Sequence, residues 1–136
     1  MPVVGISINN IDAKKYGEVT VGVKISSNTD LKSVKEQSLP GFDKKALLVE
    51  FKFLTQYLAP KDKKVAEFII GGDVLVVDDK YKEMLEMWNK EKKLPENISL
   101  QVVNTIFNKC AKKSIILSDD LQLPSPVPLP FAKKSK

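Results

Sequence analysis

Two apolar segments joined by a short proline- and lysine-bearing stretch constrain this chain more than any other feature. Between Ala46 and Leu58, residues Leu47, Val49, Phe51, Phe53 and Tyr57 share one parity, while Glu50 and Lys52 take the other. That two-residue period belongs to a strand with a buried face. A second segment, from about Val65 to Val77, follows "APKDKK", whose composition suits an exposed turn. So short a return permits antiparallel pairing only, so the two segments predict a hairpin inside an antiparallel sheet. Gly71 and Gly72 interrupt the second segment, and a paired glycine inside a strand marks a bulge or a sharp bend.

Upstream, Val4 to Ile8 alternates briefly and runs into the turn-like "NNIDAKKYG". A cleaner strand signal is "EVTVGVKIS", in which Val19, Val21, Val23 and Ile25 fall on one face. The stretch from Asn28 to Lys45 reads as a long polar connection, with "LKSVKEQ" as a short extra element. Downstream the period changes. Asp78 and Asp79 suit a helix N-terminus, and Tyr81, Met84, Leu85 and Trp88 follow at helical spacing until "KKLPEN". A second helix, from about Ile98 to Lys113, carries Val102, Val103, Ile106, Phe107 and Cys110 on one stripe. Strands followed by helices predict an α+β fold, an antiparallel sheet with its helices on one side. At 136 residues the expectation is one domain over residues 1–131, with 132–136 as a disordered basic tail.

The chemistry-bearing residues are notable for what is missing. All 22 basic residues are lysine, and the net charge is +5. Without arginine the chain lacks the bidentate fork that reads guanine and grips phosphate, although loose binding to a polyanion stays open. Histidine is absent too, which removes the commonest general base and metal ligand. "GGD" at Gly71 lacks the remaining residues of a nucleotide-binding loop and is read as a bulge. The pairs Asp78/Asp79 and Asp119/Asp120 have the oxygen chemistry of a hard-cation site, but adjacent carboxylates diverge in extended chain and a helix cap accounts for the first pair. Cys110, the single cysteine, sits on an apolar helix stripe and reads as a small buried hydrophobe. The expectation is therefore no enzyme, no metal and no cofactor. One cysteine, no apolar run near the ~20 residues of a membrane span, and an N-terminus without a secretory pattern point to the cytoplasm.

Phe51, Phe53, Tyr57 and Phe68 have two readings: a core beneath the helices, or an apolar surface for extended polypeptide or stacked bases. Leu48 and Leu54 on the opposite parity, and the run Val74 to Val77, make both strand faces apolar, which predicts self-association or a partner surface. Near the end, Pro124, Pro126, Pro128 and Pro130 alternate with Leu121, Leu123, Val127, Leu129 and Phe131, broken only by Ser125. Prolines remove backbone donors, so this stretch cannot be a central strand, yet its greasy side predicts a clamp lying on the sheet or helix.

The segment "VAEFIIGGDVLVVD", Val65 to Asp78, resembles the fourth strand of the SecB and SecB-like chaperone family. "ISLQVVNTIFNKCAKKSIILSDDLQLPSPVPLP" is similar to its long helix and the segment after it, and "ISINNIDAKK" fits more loosely. The resemblance implies a four-stranded antiparallel sheet with a long C-terminal helix and a short preceding one, assembled as a dimer or tetramer. It implies an ATP-independent holdase whose apolar grooves hold unfolded or pre-secretory chains, or an antitoxin. Groove-lining maps to Phe42, Phe51, Phe53 and Tyr57, and docking to a translocase motor maps to Val65 and Glu67 on the outer sheet face. Export members of that family are acidic, whereas this chain is basic and keeps Glu67 alone of the acidic docking patch. Lysines at a groove rim would attract acidic segments. The alternative is a small basic nucleic-acid-binding module using a sheet face, made less favourable by the missing arginines; an enzyme using carboxylates alone ranks third.

Overall fold

Four strands pair in the order β1-β4-β3-β2, every neighbour antiparallel, in a computed structural model that describes residues 3–19, 21–38 and 45–127. The strands are β1 (Val3–Lys15), β2 (Lys24–Ser38), β3 (Lys45–Ala59) and β4 (Lys63–Val76), followed by the short helix α1 (Tyr81–Glu91) and the long helix α2 (Glu96–Asp120). The fold is thus a four-stranded antiparallel sheet with a short and then a long C-terminal helix. Phe42, Pro128 to Phe131 and the basic 132–136 stretch lie outside the described residues.

The central hairpin forms as its period demands. Leu47 pairs with Val76, Val49 with Val74 and Phe53 with Ile70, and all six side chains are buried on one face. The turn between β3 and β4 is closed by Pro60–Asp62, where Lys61 and Asp62 adopt left-handed backbone angles. At Tyr57/Leu58 the register shifts, leaving Val65 opposite no β3 residue.

Both edge strands are longer than their sequence signal, for one shared reason. In β1 the register shifts between Ile8 and Asn10, and in β2 between Leu31 and Ser33. Each bulge inserts one residue, so the inward positions Ile8 and Ile11, and likewise Leu31 and Val34, fall three apart instead of two. The turn expected at "NNIDAKKYG" is therefore strand up to Lys15, and the polar connection expected from Asn28 is strand up to Ser38. Conversely, the strand expected from Glu18 begins only at Lys24. Gly22, at φ +88°, turns the chain there, and Val21 is 97% exposed while Val19, Val23 and Ile25 still pack inward.

The Gly71–Gly72 pair does not bend β4, whose pairing with β3 continues unbroken past it. The extra residue is Asn9 of β1, opposite the pair. A Cβ on Gly72 would lie 2.0 Å from the Ser7 carbonyl oxygen, so the two backbones approach closely enough to require glycine.

One face of this sheet carries the helices. Ile98, Val102, Ile106 and Cys110 recur every fourth residue along α2 and enter the main core with Val49, Phe51, Phe53, Val74, Met84 and Trp88. The lysine after α1, Lys92, takes the left-handed conformation and donates its N–H to the Trp88 carbonyl at 2.8 Å. At the other end the N-cap is Lys80, not the aspartates expected there, and no side chain caps α1; Lys80 N–H donates to the Asp78 carboxylate at 2.8 Å, which closes a turn just before the helix. Helix α2 runs seven residues past the expected stop at Lys113 because its buried positions there are Ser114 and Ser118, small and polar, which erase the apolar stripe from the sequence.

The helix then closes on a Schellman motif. Gln122 is left-handed at φ 55°, its N–H reaches the Asp119 carbonyl at 3.2 Å, and Leu123 N–H reaches the Ser118 carbonyl at 2.8 Å. Leu123 is thereby delivered into a second apolar cluster with Tyr57, Val65, Ala66 and Phe68. The Tyr57 hydroxyl donates to the Pro124 carbonyl, and Lys15 Nζ donates to the Leu121 carbonyl at 3.0 Å. The described part of the proline stretch is a clamp across the end of the sheet.

Candidate functional site

Helix α2 carries a second apolar stripe beside its core-facing one. Leu100, Val103 and Phe107 lie one turn apart, and Leu100 and Phe107 keep 57% and 47% of their surface exposed. Large apolar side chains left open in series on a helix flanking a sheet edge are unusual for a closed core.

Two concavities flank this stripe, both walled by the edge strand β2. The larger, of about 660 Å³, is formed by Thr29 and Leu31 of β2, Met87 and Trp88 of α1, Leu94 and Pro95 between the helices, and Leu100 and Val103 of α2. Its rim carries Lys92 and Lys93 but also Asp30, Glu91 and Glu96. Mixed charge of this kind does not select acidic chains, against the expectation of a lysine rim. The smaller, of about 160 Å³, lies between Ile25 and Ser27 of β2, Phe53 of β3, Phe107, Ala111 and Ser114 of α2, and Pro126 and Val127 of the clamp. Phe107 touches Phe53 edge-to-face at 6.2 Å and 75°. Both concavities lie along the seam between β2 and α2, called the groove below, the larger beside α1 and the smaller at the clamp. Among the described residues β2 pairs with β3 alone, so its other edge offers backbone donors and acceptors to an added strand.

Of the aromatics assigned to the groove from sequence, Phe53 alone among the described ones borders it, as a core side chain itself 2% exposed. Phe51 and Tyr57, at 2% and 0% exposure, are core side chains covered by the helices, and Phe68 joins them at 0%. Tyr57 stacks edge-to-face on Phe68 at 5.6 Å, and burial pushes its phenol up to about 12, with the Ser118 hydroxyl acting in the opposite direction. The sequence reading missed Leu100, Met87 and the role of Phe107. Phe107 was assigned to the buried stripe next to Ile106, from which it is one residue, about 100°, displaced.

Val65 and Glu67 separate. The register shift beside Val65 places it, 3% exposed, in the second core cluster instead of on the outer sheet face. Glu67 does stand on that outer face, where Lys64 lies 2.5 Å from its carboxylate and holds its pKa below the ordinary value, chiefly through that contact.

The outer face also has a concavity of about 660 Å³ above Gly71 and Gly72, polar in its walls, where Asn9 donates to Asp73 at 2.7 Å and Glu50 accepts from the nearby Ser33 at 3.1 Å. Leu48 pairs with Leu75 and Leu54 with Ile69 on this face, half-buried by their neighbours. Burial pushes the Cys110 thiol up to about 11, so it remains protonated and unreactive at neutral pH. Among the described residues no group of three His, Cys, Asp or Glu side chains is placed to hold a metal, and no helix is long and apolar enough to cross a membrane.

No protein-family model matches this chain, and no curated protein sequence matches it. Among solved structures, it is similar to a SecB-like chaperone of Mycobacterium tuberculosis in complex with a peptide from an antitoxin. The TM-score is 0.59 at 11% identity, over 98% of this chain and 91% of that one. At that identity the shared property is the fold.

Proposed function

We propose that this chain is a SecB-like, ATP-independent holdase that binds unfolded polypeptide along the β2–α2 groove. The carrying observation is the open stripe Leu100–Val103–Phe107 facing an unpaired strand edge. The stripe offers apolar burial at ~25 cal/mol per Å², and the edge offers backbone hydrogen bonds that any extended chain can make whatever its sequence. Promiscuous capture needs no more chemistry than that. The similar fold of a chaperone solved with an antitoxin peptide supports the reading, and pre-secretory chains and antitoxins are both clients the groove would accept.

The nucleic-acid alternative loses its main support, because the strand aromatics that would have stacked bases are core residues. Exposed Val4 and Ile11 on β1, the opposite sheet edge, and Ile116 on α2 support assembly into a dimer or tetramer, which would multiply weak groove contacts into avidity. Docking to a translocase motor would rest on Glu67 without Val65. Cytoplasmic residence fits the protonated single thiol.

The test is aggregation of a chemically unfolded client after dilution, with the protein's mass followed by size-exclusion chromatography and light scattering. Suppression at near-stoichiometric amounts without nucleotide supports the holdase. Unchanged aggregation together with a strictly monomeric mass overturns it.

A further inference from the structure

Strands β1 and β3 end, and β2 and β4 begin, at one end of the sheet. Because β1 and β2 are the two outer strands, the loop joining them passes over the β3–β4 turn. The contact is close: Tyr16 and Gly17 N–H reach the Val65 carbonyl at 2.6 and 3.3 Å, and a Cβ on Gly22 would lie 3.6 Å from Pro60. Val19 and Val23 pack inward on the second apolar cluster, which anchors the loop on either side of its tip. Val21, between them, is 97% exposed, the most open large apolar side chain among the described residues, and Tyr16 is 56% exposed. Charge at this end is one-sided. Residues 14–24 and 59–67 hold six lysines (Lys14, Lys15, Lys24, Lys61, Lys63, Lys64) against three carboxylates (Glu18, Asp62, Glu67), a net +3. Lys14 faces Asp12 at 3.9 Å, Lys15 donates to the Leu121 carbonyl, and Lys64 pairs with Glu67. Lys24, Lys61 and Lys63 are exposed and form no ion pair among the described residues. Lys61 and Asp62 moreover hold left-handed backbone angles that asparagine or glycine adopts with less strain, so a lysine stands at this turn at some cost to the fold.

From an apolar loop tip set beside unpaired lysines, we propose that this end of the sheet docks on the surface of an anionic phospholipid bilayer. Val21 enters below the headgroups, Tyr16 lies at headgroup level, where an amphipathic ring is favoured, and Lys24, Lys61 and Lys63 meet the lipid phosphates. Lys64, whose pKa is raised chiefly by its hydrogen bond to Glu67, also lies within electrostatic reach of the Tyr16 phenol, which keeps ring and cations together. Lysine suits this partner, because a fluid bilayer presents phosphate without fixed geometry and does not need the arginine fork that the chain lacks. A nucleic acid is anionic too, but it has no apolar interior to take Val21, and one loop aromatic makes no stacking platform. The attachment is peripheral, by one loop and one turn. It is independent of the polypeptide-binding reading, since no tip residue lines the groove.

The experiment is co-sedimentation of the full chain with vesicles of phosphatidylglycerol and phosphatidylcholine in equal parts, against vesicles of phosphatidylcholine alone. Binding to the anionic vesicles only, weakened by added salt, is the expected result. Val21→Ser should reduce partition about fivefold, and the triple variant Lys24→Gln, Lys61→Gln, Lys63→Gln by about tenfold or more. An equal loss of charge on the helices, Lys82→Gln, Lys90→Gln, Lys112→Gln, should change it less than about twofold. All of these positions are exposed, so unfolding profiles should match the wild type. Val21→Cys supplies a single accessible thiol, because Cys110 is fully buried, and an environment-sensitive dye placed there should shift to the blue on anionic vesicles. No partition into anionic vesicles overturns the proposal. So does partition indifferent to Val21→Ser and lost equally from both triple variants, which marks unspecific charge attraction. Tighter binding of a single-stranded oligonucleotide, lost in the tip triple variant and untouched by Val21→Ser, overturns it in favour of nucleic acid.

Discussion

The phenol of Tyr57, near the C-terminal end of β3, donates its hydrogen bond to the carbonyl of Pro124, the first proline after helix α2. A fully buried side chain of the sheet thereby fastens the clamp that walls the groove. Tyr57→Phe keeps the ring packing on Phe68 but leaves that carbonyl without its donor, at a cost of about 1–2 kcal/mol by chemical denaturation. Burial of the same phenol gives the protein an alkaline limit. In the unfolded chain the phenol ionises near 10, while burial holds it protonated up to about 12 in the folded state. Between those values the folded state holds more protons than the unfolded one, so stability falls as pH rises. The contribution is complete below pH 10 and lost above about 12, amounting to about 2–3 kcal/mol. Subtracting the Tyr57→Phe profile from the wild-type profile between pH 9 and about 12 isolates it, because the lysines titrate in both.

Leu123 occupies the position after the left-handed Gln122 and is 8% exposed within the second cluster. Truncation to alanine should cost about 2–3 kcal/mol, the ordinary penalty for a buried leucine whose surroundings relax in part. Its amide is held by the Ser118 carbonyl, so hydrogen exchange at Leu123 should be slow in the wild-type protein and fast in Leu123→Ala. Wild-type exchange at the rate of a free peptide would contradict the clamp.

The two central glycines should respond unequally to alanine. At Gly72 a methyl meets the Ser7 carbonyl oxygen and the Ile8 backbone, neither of which can rotate away, so β1 must shift and the loss should exceed about 2 kcal/mol. At Gly71 the methyl meets only the end of the Asn10 side chain, 2.3 Å from its Oδ1, and a rotamer change relieves it at a cost below about 1 kcal/mol. Thermal or denaturant unfolding of the two variants distinguishes them, and equal losses would contradict the close approach of β1 to β4.

The parts of the fold that the sequence declared were those with unbroken period. Leu47 to Tyr57 alternate without interruption, and both the strand and its buried face follow from that alone. Where one residue is inserted, as at Asn9 or Lys32, inward positions fall three apart and strand reads as turn or loop. Ser114 and Ser118 hid the last turns of α2 in the same way, by being polar where the helix is buried. The groove was less legible because it is made by juxtaposition. Leu100 and Phe107 are unremarkable on a helix, and only the placement of β2 beside them makes a site. Phe51 and Tyr57 carry the same residue types as a binding surface and differ from one only in being covered, Phe51 within the core that α1 and α2 close and Tyr57 by the end of α2 and Leu123.

If the stripe on α2 is the client surface, binding and stability should separate there. Phe107 is 47% exposed, so its removal sacrifices little core: Phe107→Ala should lower stability by only about 1 kcal/mol, most of it the edge contact with Phe53. The same change should weaken an unfolded client or an apolar peptide about tenfold or more, since exposed aromatics at the centre of a groove carry a disproportionate share of binding energy. Ile106→Ala, one residue away and fully buried, should do the reverse, costing about 2–4 kcal/mol of stability while native protein at low temperature still binds. Paired denaturation and anisotropy titrations on the two variants would show this crossover. If Phe107→Ala loses no affinity, the client does not lie on this face of the helix.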